Sequence, residues 1–173
     1  MSEQRTAPDR AVILQTPRLR LTTWLPADAA DLHEVHADAE TMRFVRHGRP
    51  ETPEETRALV AQYLDEQIRL GWTRWRLTDR EDRLIGRAGF GAAADGRELG
   101  YTIRRELWGQ GLATEIASAL VALHRAEPGQ GPLTAYVVPE NTASARVLTK
   151  AGFEYEGVRP RRGVDCLFFR LPD

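Results

Sequence analysis

The sequence lacks the features that mark disulfide-rich, membrane-inserted or nucleic-acid-binding proteins. Its one cysteine, Cys166, excludes an internal disulfide bond and a cysteine-rich zinc site. No apolar run approaches the roughly 18 residues that a membrane-spanning helix needs, and the polar start of the chain has no signal-peptide core. The 24 basic and 25 acidic residues nearly cancel, whereas nucleic-acid-binding domains concentrate positive charge. We therefore expect a cytoplasmic protein that binds neither nucleic acid nor membrane.

The chain is long enough for one domain with a core of its own. A chain of 173 residues can bury such a core without disulfide or metal staples. Residues 1–11 are polar and show no periodic pattern. We therefore expect a flexible tail over residues 1–11 and one folded domain over residues 12–173.

Hydrophobic periodicity indicates both strands and helices along this domain. Helices are predicted to start at Pro26, Thr52, Leu112 and Asn141, and strands to lie at residues 18–24, 72–78, 83–90, 98–104, 133–138, 153–158 and 164–171. The helix at Thr52 has the clearest signals, because Thr52 and Glu55 match a capping box and Gly71 is placed to end the helix. Hairpins followed by a strand–helix–strand unit indicate an α+β fold. We expect a mixed, mostly antiparallel sheet of about seven strands with helices on both faces.

The segment Trp108-Gly109-Gln110-Gly111-Leu112-Ala113 connects a predicted strand to an amphipathic helix. The first turn of a helix offers free N–H groups and the positive end of the helix dipole, and glycines let an anion approach the backbone. A nucleotide P-loop would need Lys and Ser or Thr after its last glycine, and a dinucleotide fingerprint would need a third glycine where Thr114 stands. The segment therefore predicts a phosphate site of another kind, although two glycines alone would also fit a simple turn.

A second motif follows the predicted strand at residues 133–138. It runs from Asn141-Thr142-Ala143-Ser144 to Gly152-Phe153. Together with the opening Thr16-Pro17-Arg18-Leu19-Arg20-Leu21, the strand Leu99-Gly100-Tyr101 and the glycine loop, it makes the chain resemble the GNAT superfamily of acyl-CoA N-acyltransferases over about residues 14–171. Within that superfamily the chain looks like the RimJ/RimL type, the protein N-terminal alanine or serine acetyltransferases and their small-molecule relatives. The resemblance implies a single N-acetyltransferase domain over residues 12–173 with a three-layer α/β/α arrangement.

The resemblance also implies acetyl-CoA as the cosubstrate, with no metal. Backbone groups near Ile103 would pair with the pantetheine arm, and N–H groups from Gln110 to Thr114 would bind the pyrophosphate. Asn141 would donate to a pantetheine amide, although asparagine is also a favoured helix N-cap. The expected CoA-binding residues are Ile103, Trp108, Gly109, Gln110, Gly111, Leu112, Ala113, Thr114 and Asn141. The family's usual Arg or Gln at the start of the loop is Trp108 here, which leaves binding to the backbone.

The reaction of such an enzyme is the attack of a free amine on a thioester. It needs donors for the oxyanion and a proton source for the thiolate. The Ile103 N–H group is the expected oxyanion donor, and Ser144 is expected to contact the CoA sulfur. Many family members carry a tyrosine as general acid seven residues after the helix asparagine, and this position is Leu148 here.

The general base is predicted to be Glu98, which lies on the strand beside the expected transfer site and shares one face with Gly100 and Thr102. The alternatives are Glu106, His36 and His47. An α-amino group with a pKa near 8 would need little help. Cys166 lies in an apolar strand and is interpreted as a core residue, not a nucleophile.

The leading hypothesis is an N-acetyltransferase that acts by direct attack within a ternary complex. The acceptor would be a protein N-terminus or a small-molecule amine, and the protein a monomer or a homodimer. The competing hypothesis is a catalytically inactive acyl-CoA-binding sensor or scaffold, which the missing tyrosine leaves open. Arginines in the expected acceptor loops favour an acceptor with some negative charge: Arg46, Arg49, Arg159, Arg161 and Arg162.

Overall fold

The computed structural model describes residues 10–173. Most of the predicted tail, residues 1–9, lies outside the described residues. Its last two residues contact the domain. The Arg10 guanidinium lies 2.5 Å from the Asp28 carboxylate, and the Thr23 N–H donates to the Ala11 carbonyl at 3.0 Å.

The described residues form one sheet of eight strands. The strands are β1 (Val12–Gln15), β2 (Leu19–Thr22), β3 (Arg74–Asp79), β4 (Leu84–Ala92), β5 (Arg97–Ile103), β6 (Leu133–Val137), β7 (Glu154–Arg161) and β8 (Val164–Arg170). Their order is β1-β2-β3-β4-β5-β6-β8-β7, and every neighbouring pair is antiparallel except β5 and β6. This confirms the α+β fold and the mixed sheet. The strand that sequence reasoning missed is β1, whose four residues Val-Ile-Leu-Gln show no alternation.

The helices are α1 (Ala29–His36), α2 (Ala39–Met42), α3 (Pro53–Leu70), α4 (Leu112–Ala126) and α5 (Thr142–Lys150). The capping box that begins α3 is present, since Thr52 Oγ1 accepts from the Glu55 N–H and Glu55 reaches back to the Thr52 N–H. Gly71 ends the helix in the left-handed region with a φ of 76°. The one-turn helix α2 was not predicted, because four residues are too few for a helical period.

The two faces of the sheet carry separate hydrophobic clusters, so helices cover both faces as predicted. The larger cluster packs α4 and α5 against one face, which includes Trp75 and Leu77 of β3. The smaller cluster packs α1 and α3 against the other face around Trp24 and Tyr63. Because side chains alternate along a strand, Arg74 and Arg76 lie on this second face. Among residues 10–173, no helix is both long and apolar enough to cross a membrane.

The parallel strands β5 and β6 pair only at their beginnings. Arg97 is aligned with Leu133 and Glu98 with Thr134, and the two strands then separate toward the carboxyl end of β5. One side of this gap is the second half of β5, and the loop that leads into α4 follows directly. The fold therefore opens the sheet beside the glycine loop.

Candidate active site

The glycine loop begins α4 with an uncapped helix end. Gly109 and Gly111 have φ values of 75° and 80°, a left-handed conformation that is costly for other residues. Gly111 is the N-cap residue, and no side chain within residues 10–173 accepts a hydrogen bond from the first turn of α4. The N–H groups of Leu112, Ala113 and Thr114 therefore remain available to an anion.

The turn between β1 and β2, far away along the chain, holds the glycine loop in place. Arg18 Nη1 donates to the Gln110 carbonyl at 2.7 Å, and Arg18 Nε donates to Glu115 of α4 at 2.7 Å. Glu115 also accepts from Thr16 Oγ1 at 2.6 Å and from the Arg18 N–H at 2.9 Å. The opening Thr-Pro-Arg motif therefore fixes the start of α4, which explains why it accompanies the glycine loop.

A cavity of about 500 Å³, here called the helix-start cavity, lies against the first turn of α4. The predicted CoA-binding residues that line it are Ile103, Trp108, Gly109, Gly111, Leu112, Ala113, Thr114 and Asn141. Gln110 is not among the lining residues, and its carbonyl is used by Arg18. Arg146 and Lys150 of α5 add positive charge to the opposite wall.

The free edge of β5 faces the gap. The Arg104 N–H donates to the Ile85 carbonyl at 2.8 Å. In an antiparallel ladder, residues alternate in the side to which they direct their backbone groups. The backbone groups of Tyr101 and Ile103 therefore point away from β4 and into the gap. The Ile103 carbonyl accepts the Trp108 indole N–H at 2.8 Å, which fastens the loop to the end of β5.

Asn141 caps α5, as the alternative interpretation of its sequence position predicted. Its Oδ1 accepts from the Ser144 N–H at 3.2 Å. Asn141 also lines the helix-start cavity. Because the cap uses Oδ1, the Nδ2 hydrogens remain for a ligand carbonyl, so the capping role and the ligand role are compatible.

Ser144 lies beside a residue that sequence reasoning did not assign to the site. The Oγ of Ser144 and the phenol oxygen of Tyr101 are 2.8 Å apart. Burial raises the pKa of the Tyr101 phenol to about 12, and the hydrogen bond with Ser144 opposes that shift. The Tyr101 phenol therefore stays protonated and can donate. Leu148 is buried in the larger cluster, so the tyrosine hydroxyl comes from β5 and not from α5.

A second cavity of about 240 Å³, here called the arginine cavity, lies on the other side of this hydroxyl pair. Five arginines line it: Arg46, Arg74, Arg87, Arg161 and Arg162. Tyr101, Asn141 and Ser144 line both cavities. The two cavities therefore meet at the Tyr101–Ser144 pair, where a group from one can reach a group in the other.

Two of these arginines come from positions that the sequence did not single out. Arg74 of β3 extends across glycines of β4 and β5, since a Cβ on Gly100 would approach its Nε to 2.6 Å and one on Gly91 its Nη1 to 2.6 Å. Arg87 is buried in the middle of β4. Only the strand register brings them together, so no local motif could have revealed them.

Glu98, the predicted base, lines the arginine cavity in an ion-paired state. Its Oε2 lies 2.5 Å from an Nη of Arg161, and its Oε1 lies 3.5 Å from an Nη of Arg74. Two guanidinium groups therefore share this carboxylate. Glu98 therefore either acts as a base or holds the two arginines in place.

The alternative bases lie outside both cavities. His36 is fully buried and bonded to Glu51 at 2.8 Å, and burial lowers its pKa. Glu106 pairs with Arg83 on the surface at 3.0 Å, and His47 is exposed. Cys166 is buried at the edge of the arginine cavity, and burial raises the pKa of its thiol. His36, Glu106 and His47 therefore do not contact the Tyr101–Ser144 pair.

Known proteins resemble this chain in sequence and in fold. The family model described as an acetyltransferase (GNAT) domain matches residues 18–154. The uncharacterized N-acetyltransferase YoaA of Bacillus subtilis (strain 168) is 31% identical over 150 residues, which cover 84% of this chain and 85% of YoaA. An acetyltransferase (GNAT family) from Bacillus anthracis superposes with a TM-score of 0.78 at 23% identity, covering 91% of this chain and 96% of that one. The ribosomal L7/L12 alpha-N-protein acetyltransferase RimL, solved in complex with coenzyme A, superposes with a TM-score of 0.78 at 20% identity, covering 92% and 97%.

Proposed function

The chain belongs to the acetyltransferase (GNAT) domain family, and on that basis we propose that it transfers an acetyl group from acetyl-CoA to a primary amine. The acceptor is a small molecule or a peptide N-terminus. The observation that carries this proposal is the meeting of two cavities at Tyr101 and Ser144, one of them lined by the uncapped start of α4.

The helix-start cavity fits acetyl-CoA. The N–H groups of Leu112, Ala113 and Thr114 bind the pyrophosphate, since a helix N-terminus is a ready site for phosphate oxygens. The pantetheine arm lies along the free edge of β5, and the Asn141 amide donates to one of its carbonyls. The structurally similar RimL was solved in complex with coenzyme A, which supports coenzyme A as the ligand.

The chemistry takes place where the cavities meet. A neutral amine in the arginine cavity attacks the thioester carbonyl, so that a C–N bond forms and the C–S bond breaks. The Ile103 N–H, which points into the gap, stabilises the oxyanion. Ser144 donates a proton to the departing thiolate, and Tyr101 donates its own hydrogen bond to Ser144.

Glu98 is the proposed acceptor of the amine proton, directly or through water. The same carboxylate pairs with Arg161 and Arg74, which hold it beside the arginine cavity. Proximity of the two substrates then supplies much of the acceleration. Direct transfer needs no covalent intermediate, which agrees with the buried position of Cys166.

A sensor or scaffold that binds acyl-CoA without catalysis is the competing function. The paired state of Glu98 and the leucine at position 148 favour it. Release of free CoA thiol from acetyl-CoA, followed with a panel of amines, distinguishes the two. Amine-dependent thiol release supports the enzyme, whereas tight CoA binding without turnover for any amine supports the sensor. A cytoplasmic location is part of this proposal, and cell fractionation tests it.

A further inference from the structure

We propose that the acceptor amine also carries an anionic oxygen group, a carboxylate or a phosphate, which Arg46, Arg87 and Arg162 bind in the arginine cavity. This inference rests on the proposed function, because it names the acceptor of the same reaction. It follows from the charges around the cavity, from the way the three arginines are held and from the size of the space.

Positive charge exceeds negative charge in this cavity. Five guanidinium groups line it, whereas the carboxylates in contact with them are Glu98 and the buried Glu51. Glu98 is already shared between Arg161 and Arg74. A partly desolvated cluster of like charges is unfavourable unless an anion completes it. The surplus therefore favours an anionic ligand and disfavours a polyamine.

A buried relay orients Arg87 toward the cavity. Arg87 Nε donates to His36 Nε2 at 3.3 Å, and the other ring nitrogen of His36 lies 2.8 Å from Glu51 Oε2. His36 must therefore be neutral, with its proton on Nδ1 and donated to Glu51. Because Nε is used on the protein side, the Nη groups of Arg87 remain for a ligand. Burial lowers the pKa of Arg87, as expected for a guanidinium with little compensation.

Arg46 is held by the same carboxylate, since its Nε lies 2.5 Å from Glu51 Oε1. Thr56 Oγ1 also donates to Glu51, at 3.1 Å. Glu51 thus fixes Arg46 directly and Arg87 through His36. A single buried carboxylate that orients two guanidinium groups toward one space is an arrangement suited to binding an anion between them.

Arg162 completes the group from the turn between β7 and β8. Its side chain is exposed and lines the cavity, and among residues 10–173 no side chain forms a hydrogen bond or ion pair with its guanidinium. Desolvation and the nearby charges of Arg161, Arg46 and Arg74 lower its pKa. Arg46 and Arg162 both adopt left-handed backbone conformations, with φ values of 51° and 53°. At Arg162 this conformation belongs to the two-residue hairpin turn Arg162-Gly163, which directs the side chain away from the strands.

The space and its exit define the acceptor further. A cavity of about 240 Å³ lies below the range of roughly 300 to 1,000 Å³ that is usual for drug-sized ligands. The lining includes both the arginines and the Tyr101–Ser144 pair. A small molecule of about amino acid size, with its amine toward Ser144 and its anionic group toward the arginines, matches this lining.

The test compares acceptors that differ only in the anionic group. The first set consists of amino acids and the corresponding amino acid amides, and the second set consists of phosphoethanolamine and ethanolamine. In at least one set, the wild-type protein should show a higher kcat/KM for the anionic amine than for its uncharged counterpart. The set with the larger difference shows whether the bound group is a carboxylate or a phosphate. Arg162→Gln and Arg46→Gln should each reduce that preference about ten-fold or more, as expected for a lost charged hydrogen bond. The KM for acetyl-CoA should not change.

Arg49→Gln is the matched control. Arg49 lies three residues after Arg46, but its guanidinium pairs with Glu55 outside the cavity, at 2.7 Å. This variant should keep the wild-type preference. Equal rates with amides, or faster acetylation of spermidine than of any anionic amine, would overturn the anionic acceptor and leave the acetyltransferase in place.

A binding measurement covers the case in which no amine in the panel is acetylated. The CoA-saturated protein is titrated calorimetrically with N-acetylated amino acids, their amides and inorganic phosphate. Binding of an anionic probe that is lost in Arg162→Gln supports the site, and absence of any such binding to the wild type contradicts it. Failure of CoA to bind would instead contradict the proposed function. The two failures are distinguishable, because the anionic probes can also be titrated into the protein without CoA.

Discussion

The hydroxyl pair of Tyr101 and Ser144 provides the sharpest test at the scale of single residues. If Ser144 protonates the thiolate with support from Tyr101, then Tyr101→Phe should lower kcat by about ten-fold or more, since proton transfer by a positioned group contributes at least that much. Ser144→Ala should cost a similar factor. The double variant should cost little more than either single variant, because both changes remove one relay.

The measurement is kcat under saturation with both substrates, together with the dissociation constant of CoA. A purely structural role of Tyr101 would weaken CoA binding along with turnover, whereas the relay affects turnover alone. Tyr155→Phe is the control, because that tyrosine is 55% exposed on β7 and lines neither cavity. Additive losses in the double variant would show that the two hydroxyls act independently.

Glu98 has two possible roles, as a base or as a partner that holds Arg161 and Arg74, and the substitution Glu98→Gln distinguishes them. If it accepts the amine proton, Glu98→Gln should lower kcat by about 100-fold, and the loss should shrink at higher pH as more amine is already neutral. If it only holds Arg161 and Arg74, the variant should change the KM for the acceptor, with the same factor at every pH. The pH profiles of kcat and of acceptor KM decide between them, and an unchanged profile of both would remove Glu98 from the site.

At this scale the sequence was informative for residues that are close together along the chain. The glycine loop and Asn141 belong to contiguous motifs, and the structure brings them to one cavity. Tyr101, Arg74 and Arg87 were missed because their roles depend on strand register and on the position of α5. A one-dimensional pattern shows which face of a strand a residue occupies, but not which helix or strand lies opposite.

The first turn of α4 is the element on which CoA binding depends. Gly111→Glu is a poor test of it, because a side chain at a φ of 80° adds backbone strain to any effect on the ligand. Ala113→Glu is better, since Ala113 lies within the first turn, where a carboxylate favours the helix dipole. The same carboxylate would occupy and repel the phosphate position, so we expect a folded protein that does not bind CoA.

Thermal unfolding with and without CoA measures this. CoA at about 100 times its dissociation constant should stabilise the wild type by about 2.7 kcal/mol, a rise in Tm of roughly 5 to 10 °C for a domain of this size. Ala113→Glu should unfold cooperatively and show no rise. Ser118→Glu places the same charge on an exposed position of α4 away from its start and should behave like the wild type. A normal rise for Ala113→Glu would mean that the phosphates bind elsewhere.

Elements with strong local signals were predicted well. The capping box and Gly71 define α3 because both act within a few residues of the helix ends. β1 and α2 were missed, since β1 is specified by pairing with β2 and α2 by one capping contact from Asp38. The bracing of the glycine loop by Arg18 and Glu115 could not be predicted either, because it joins residues 97 positions apart in the chain.

The stability of the whole molecule should depend on the buried contacts behind the arginine cavity. Burial raises the pKa of Glu51, but the hydrogen bond from His36, the charge of Arg46 and the hydrogen bond from Thr56 outweigh it and bring the pKa to about 2. Burial lowers the pKa of His36, which the hydrogen bond to Glu51 opposes. Both folded-state values lie below their ordinary values of 4.5 and 6.5. Each group therefore contributes stability that is present at neutral pH and lost on acidification.

The His36 contribution should be lost first, as the pH falls below 6.5, and the Glu51 contribution between about 4.5 and about 2. His36→Gln tests the first step, because glutamine can accept from Arg87 and donate to Glu51 but does not titrate. We expect the variant to be less stable than the wild type at pH 7. The difference in the free energy of unfolding should narrow between pH 7 and pH 5, because only the wild type must protonate His36 on unfolding. Urea unfolding across that range measures both curves. Parallel curves would mean that His36 does not change its protonation on unfolding, and the neutral relay to Arg87 would lose its support.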